Sequence, residues 1–442
     1  MHPSDGSAGA YSRRVVTANG AVQGPPLPGE VRWANRERLS LALLAVVFAV
    51  HFLDRQLLAI LIPPIKAELG LSDTALGFIS GLAFTLFFST VGLVIARIAD
   101  RVDRARIVTW SLVAFSVMTA LCGLAMNFWQ LALARIGVGA GEGGTNPASH
   151  SLIADMFAPA SRATAMAVYS IGPNLGMLLA FGIGGWLAQE MGWRAAFFAA
   201  GLLGLIVALA TRFYLVDPHA RDRAQAPVAD LDARAVARTM LASPTLRHLA
   251  AAATLAMAVA TGVITWLPAL LVRAHGFSLS QIGVFLAVVL GVAGAVGTYA
   301  VGRIADRTSD APRKLVVLVT LQCVIAASLP LGVLADSGIG AVLLLSLPCV
   351  LLVGYVGPTL ALIQGIVDPR ARAFSAAIML LCANLLASGL GPFAVGLLSD
   401  ALAPTVGDQS LRYALLLMSL LCLWSAWHYW RAKPTLVAEL RA

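Results

Sequence analysis

Five side chains able to carry charge or a proton stand inside apolar stretches of this sequence. His51, Asp54 and Arg55 lie in LLAVVFAVHFLDRQLLAI, and Arg135 and Glu142 lie in ALARIGVGAGEGG. The first three are spaced i, i+3 and i+4, so a helix carries them as one stripe. The other two are seven positions apart, two turns along one helix face. Two acids and two strong bases can therefore meet across one helix pair and cancel formally. A charge at the centre of an apolar slab costs about 3 kcal/mol on insertion scales, so each needs a partner or water. Burial favours a neutral acid, whereas a guanidinium beside it favours the ionised form. A rearrangement of partners thus loads or releases a proton, and Asp54, Glu142 and His51 are the candidates for that role. Arg55 and Arg135 are the candidates for holding an anion. A permanent ion network that only fixes helix packing would use the same residues, and His51 suits packing as well as a relay.

The elements that must position these groups follow from composition. Charged residues are 12% of the 442, against about 25% in soluble domains, and 59% are hydrophobic. Apolar runs such as 249–271 and 341–363 exceed the ~18 residues that mark a membrane span. Divided at charged and Pro/Gly breaks, the chain offers twelve candidate helices. They lie near 39–62, 75–96, 107–125, 129–153, 163–188 and 195–215, then 247–271, 280–302, 314–334, 339–363, 373–398 and 410–431. The expected fold class is an all-α membrane protein of two six-helix halves.

The expected organisation is a disordered tail (1–38), a first half (39–215), a connector (216–246), a second half (247–431) and a short tail (432–442). The tail before the first span is polar and has no apolar signal region, so no cleaved signal is expected. Part of the connector, DLDARAVARTM, has the pattern of a surface-lying helix. With both termini cytoplasmic, 25 of the 31 basic residues fall in cytoplasmic tails and loops. Only Lys66, Arg194, Arg273 and Arg412 then fall outside, and Arg55 and Arg135 within spans. That asymmetry satisfies the positive-inside rule, and it explains the +9 net charge without nucleic acid. The expected place is a cell inner (plasma) membrane. The cysteines (122, 323, 349, 382 and 422) all sit in apolar runs and suggest small hydrophobes, not disulfides.

The halves repeat each other. RIADR at 97–101 recurs at 303–307, and GLSDTALG at 70–77 matches GFSLSQIG at 276–283. Pro159, Arg162 and Asn174 align with Pro369, Arg372 and Asn384. Matches in one order at near-constant spacing indicate a duplicated unit. Parallel repeats of this kind place a transport site near the bilayer midplane between the halves. Polar or aromatic residues within spans supply the cavity candidates: Phe84, Phe88, Asn146, Tyr169, Asn174, Trp266, Tyr299 and Asn384. Aromatics at helical spacing also serve packing alone. The set is rich in aromatics and poor in charge, which suits an amphiphile with its anionic head on Arg55 or Arg135.

Across 39–431 the chain resembles the major facilitator superfamily. ARIADRVDR at 96–104 resembles that family's loop G-x-x-x-D-R-x-G-R, with Ala96 and Asp103 where glycine is usual, and GRIADR at 302–307 is the cleaner copy. The resemblance implies a cytoplasmic gate in which Asp100, Arg101, Arg104, Asp306 and Arg307 clamp the halves together. Carboxylate–arginine pairs and helix-end dipoles are compatible with that role. FLDRQ at 52–56, ARIGVGAGEGG at 134–144 and SLIADMF at 151–157 resemble the spinster-like branch. The departures are His51, where asparagine is usual, and Gly143 and Gly144. GPNLG at 172–176 echoes the superfamily's antiporter motif, and the same residues would serve as a kink. A ratio of 28 Arg to 3 Lys, with no N-x-S/T sequon, fits a bacterial chain.

No cofactor, metal or enzyme activity is expected. The chain has no G-x-x-x-x-G-K-[ST], H-E-x-x-H or G-x-S-x-G pattern and no Cys/His cluster. The resemblance implies a proton-coupled secondary transporter of an amphiphilic or anionic solute, lysolipid-like, working by alternating access. A proton- or cation-coupled symporter of organic anions such as sugar acids shares the R…G…E pattern of the fourth helix. A non-transporting sensor is a third class. The expected partners are the solute, protons and the bilayer, with the chain as a monomer and no nucleic acid.

Overall fold

The computed structural model describes residues 35–99, 102–218, 242–308, 310–367 and 384–439. Asp100, Arg101, Pro369, Arg372 and Cys382 lie outside the described residues, as do the tail before Asn35 and most of the connector. All regular structure among the described residues is helical. Ten helices there are long and apolar enough to cross a membrane, by length and composition. In an apolar slab, backbone groups must bond within their own segment, which selects helices.

In the first half, α1 is Asn35–Leu69. It is followed by α2 (73–99), α3 (Arg104–Cys122), α4 (Phe128–Glu142), α5 (Thr145–Met156), α6 (159–191) and α7 (Trp193–Tyr214). In the second half, α8 is Pro244–His275. Then come α9 (279–306), α10 (Ala311–Val333), α11 (Gly338–Leu351), α12 (Val356–Ile366), α13 (384–406) and α14 (Ser410–Glu439). The expected fourth span is α4 and α5 in series, parted at Gly143 and Gly144. At 15 and 12 residues, neither part spans a bilayer alone.

Local chemistry sets the helix starts. Ser72, Asp103, Asn127, Ser243, Ser278 and Ser337 each accept a backbone N–H of the first turn they precede. Gly276 ends α8 at φ 67°, a left-handed position that glycine takes without strain.

π-helical turns interrupt α2 at Phe78–Leu82, α6 at Leu179–Ile183 and α9 at Ala287–Ala293, and one opens the described part of α13 at Asn384–Ser388. They fall in helices that the duplicated unit pairs, α2 with α9 and α6 with α13, and these four helices form the boundary between the halves. There 73–85 packs on α13, 172–191 packs on 279–293, and α1 lies against α8. The remaining parts of α6 and α9, Pro159–Tyr169 and Gly294–Asp306, pack mainly within their own halves. Among the described residues the halves therefore meet toward one end of the bundle, and packing between them is sparser toward the end where α1 begins.

Candidate functional site

The stripe on α1 faces α4, which runs antiparallel to it, so their charged residues stack in two tiers. In the first, Arg135 Nη1 lies 2.6 Å from Asp54 Oδ2. The other Asp54 oxygen accepts from the Thr119 hydroxyl of α3. Both oxygens of this carboxylate are therefore bonded, and both partners of the pair are 1% exposed. In the second tier, about one helical turn away, His51 Nε2 stands 3.2 Å from Glu142 Oε2. Both side chains are fully buried. The approach is off the hydrogen-bonding direction, and both Glu142 oxygens and both His51 nitrogens lack an aligned partner. Asp54, Arg55 and Arg135 act on Glu142 through their charges, and the Asp54 carboxyl also lies within hydrogen-bonding reach of it.

Arg55 differs from Arg135. Among the described residues it forms no salt bridge, and its guanidinium lies 5.0, 5.7 and 5.9 Å from the ring centres of Phe84, Phe88 and Phe52. Contact with aromatic faces stabilises a cation without neutralising it. Arg55 lines a cavity of about 50 Å³ between the halves. Gln56, Ser80, Phe84 and Arg135 complete the first-half wall, and Thr261, Ile264, Thr265, Ser388 and Pro392 form the second-half wall. The Ser80 and Thr261 hydroxyls donate to backbone carbonyls, at 2.8 Å to Leu76 and 2.9 Å to Met257. Their oxygens keep lone pairs to accept from a solute. The cavity thus combines a cation, hydroxyl acceptors and the Gln56 amide.

Of the expected cavity residues, the structure brings Phe84 and Phe88 to the cluster, stacked at 5.6 Å beneath Arg55. Phe88 also meets the His51 ring edge-on at 5.7 Å. Tyr169 and Asn146 form a second pair: the buried Tyr169 hydroxyl donates to Asn146 Oδ1 at 3.2 Å, and its ring stacks on Phe48. Asn174 lies where α6 meets α9, its carbonyl close to Gly291. Asn384 begins the π-helical turn of α13 near the Ser388 hydroxyl. Trp266 is fully buried, donating to the Pro392 carbonyl at 2.8 Å, and therefore joins α8 to α13. Tyr299 is 69% exposed on α9 and is not brought to the cluster.

The expected cytoplasmic clamp lies only partly within the described residues. Arg104 bonds to Asp155 at 2.8 Å, to the Ala99 carbonyl and, through its N–H, to Asp217 at the start of the connector. Asp306 and Arg307 are exposed and form no ion pair among the described residues. Asp100 and Arg101 lie outside the described residues.

The residues missed from sequence are Thr119, Gln56, Ser80 and the cavity hydroxyls of the second half. Their only signal was polarity inside a span, which is weak because Ser and Thr usually bond back to their own helix.

Comparison with known proteins agrees with the architecture. Residues 44–392 match the model of the Major Facilitator Superfamily. An MFS-type efflux pump of Mycolicibacterium smegmatis is 35% identical over 403 residues, covering 90% of this chain and 93% of that protein. A hexuronate transporter of Bacillus subtilis is 26% identical over 364 residues, covering 79% and 85%. Among solved structures, an inward-facing, unoccupied bacterial homologue of the human lysosomal transporter Spinster aligns with TM-score 0.80 and 25% identity. That alignment covers 92% of this chain and 99% of the other. With the family model matching most of its length and a relative similar nearly end to end, the chain belongs to the Major Facilitator Superfamily.

Proposed function

We propose that this transporter carries a small oxygen-rich organic anion, coupled to protons, by alternating access between two six-helix halves. The carrying observation is Arg55, a guanidinium that forms no salt bridge among the described residues, at a hydroxyl-lined cavity between the halves. A carboxylate on the solute would pair with it, and solute hydroxyls would donate to Ser80 and Thr261. Arg135 is occupied by Asp54 and serves to shape the site.

The same bonds divide the acids. Asp54 has both oxygens engaged and acts as the fixed counter-ion of Arg135. Glu142 has no aligned partner and faces His51, so the proton role narrows to Glu142 and His51. When a solute anion draws Arg55, Glu142 loses part of its cationic surroundings and takes up a proton. Proton and solute are thus linked through a shared base.

In this reading, α4 with α5 forms the fourth of twelve spans, and both termini face the cytoplasm of an inner membrane. Relatives described as transporters of hexuronate, gallate and cis,cis-muconate support an organic acid. An amphiphile is the second reading, supported by the three phenyl rings around Arg55 and the likeness to the Spinster homologue.

The test is flux in proteoliposomes, with and without an imposed pH gradient, over sugar acids, aromatic acids and lysophospholipids. Gradient-driven uptake of an organic acid, lost in Arg55→Ala, is the expected result. Flux of the lysolipid alone selects the amphiphile, and no flux of any solute favours a sensor.

A further inference from the structure

At the end of the bundle where the halves meet, four helices converge on one carboxylate. Asp73, the first residue of α2, is 2% exposed. Both terminal nitrogens of Arg273, in the last turn of α8, lie 2.6 Å from its two oxygens. The Ser399 hydroxyl of α13 donates to Oδ2 at 2.7 Å, and the Lys66 ammonium at the end of α1 donates to Oδ1. Asp73 and Lys66 belong to the first half, Arg273 and Ser399 to the second. The bidentate pair therefore crosses the boundary that alternating access must open. Such fork-shaped pairs are the strong, directional members of their class.

A second set of bonds crosses beside it. Asp400, on α13, accepts from the N–H groups of Asp73 (3.1 Å) and Thr74 (2.7 Å), so a residue of one half caps a helix of the other. The duplicated unit repeats this cap: Gln189 of α6 accepts from the Leu279 N–H, the first of α9, at 3.2 Å. Leu279 stands where the repeat has Asp73, and Gln189 is neutral. The clasp is therefore ionic on one side of the pseudo-symmetric boundary and neutral on the other. Below the ionic side the backbones touch. A Cβ on Gly77 would stand 2.6 Å from the Pro392 carbonyl oxygen, and Gly81 meets the Gly389 carbonyl closely as well. Close-packed surfaces of this kind are bistable, so the boundary is either seated or parted.

We propose that Asp73 is the gating residue at this end of the transporter. Its pair with Arg273 holds the halves shut here, and separation of that pair admits solute from this side to the central cavity. The assignment rests on the alternating-access reading above, and it gives a transport role to Lys66 and Arg273, whose positions otherwise only satisfy the charge asymmetry of the loops.

The test is pulsed electron paramagnetic resonance on the full-length protein in nanodiscs. Spin labels are placed at Leu71 and Asp408, in a background without native cysteines. Asp73→Asn and Arg273→Gln should each raise the ratio of long to short distances about 5- to 150-fold, the range of a coupling free energy between sites. The double variant should move no further than either single one, because one interaction is removed. Ser399→Ala, a milder change, should shift the ratio in the same direction by less. Unchanged distributions in both Asp73→Asn and Arg273→Gln, or fully additive shifts, would overturn the assignment. Solute flux of the unaltered protein is measured separately. A shift without flux removes the transport reading and keeps the latch, whereas flux without a shift removes the latch alone.

Discussion

His51 Nε2 lies 3.2 Å from Glu142 Oε2 in a pocket neither side chain shares with solvent, yet no aligned hydrogen bond joins them. One turn away, Asp54 is held by Arg135 and Thr119 on both oxygens. The two buried acids on adjacent tiers are thus unequally satisfied: Asp54 has a cation and a hydroxyl on it, and Glu142 has only the Asp54 carboxyl within reach. A bonded carboxylate resists a change of protonation, and an unbonded one beside an imidazole is the natural place for it.

Glu142→Gln fixes that position in a neutral form. Gradient-driven accumulation should fall to the level seen without a gradient, while solute exchange at equal pH persists because Arg55 remains. Proteoliposome flux under both conditions checks this. Full gradient dependence in Glu142→Gln would assign the tier to packing alone.

Asp54 and Thr119 should behave as structural partners. Removing one member of a buried ion pair costs about 3–5 kcal/mol, because the remaining charge is stranded. Asp54→Asn should therefore lower the unfolding midpoint more than Thr119→Val, which loses one hydrogen bond to a charged group, about 1.5–3 kcal/mol. Asp54→Asn combined with Arg135→Gln should be less destabilised than Asp54→Asn alone. Thermal unfolding in detergent gives the order, and equal midpoints for all three would refute it.

The charged stripes of α1 and α4 were legible in the sequence because ionisable residues in apolar runs, at helical spacing, leave few other interpretations. Thr119 was not, since threonine in a span commonly bonds its own helix, as Thr109 and Thr254 do here. Asp73, Lys66 and Arg273 had the form of ordinary loop charges. The pairing of Asp73 with Arg273 spans 200 residues, so no local pattern announces it. The π-helical turns were also hidden, because one extra residue in FISGL or LAFGI changes no apolar composition. The clamp expected around Arg104 includes Asp100 and Arg101, which lie outside the described residues, so the structure bears only on its other members.

Arg55 should set solute affinity. Arg55→Ala removes the one cation facing the cavity that no described carboxylate already engages. A charge-assisted bond of about 1.5–3 kcal/mol corresponds to roughly 10- to 150-fold weaker binding of an anionic solute. Arg55→Lys should recover only part of this, because a point charge lacks the planar fork and its contact with Phe84. Equilibrium binding of the identified solute to detergent-solubilised protein measures it. Equal affinity in Arg55→Ala would move the anion site elsewhere.

The two ends of the bundle should oppose each other energetically. Among the described residues the Asp73 end is seated, and packing between the halves is sparser at the end bearing Asp306, with Asp306 exposed. If Asp306 engages the other half only when its own end closes, Asp306→Asn weakens a state this structure does not occupy. It should then favour the present arrangement by a coupling of about 1–3 kcal/mol, whereas Asp73→Asn disfavours it by a similar amount. The double variant should return the distance distribution between labels at Leu71 and Asp408 toward that of the unaltered protein. Such compensation follows from two gates biasing one equilibrium, since each substitution removes a contact made in only one of the two states. It need not restore transport, because both barriers against simultaneous opening are lowered and solute leaks. Recovery of the distribution with raised passive leak is the expected pair of results. A double variant whose distribution matches Asp73→Asn alone would show that Asp306 has no part in the gate and serves only to set topology.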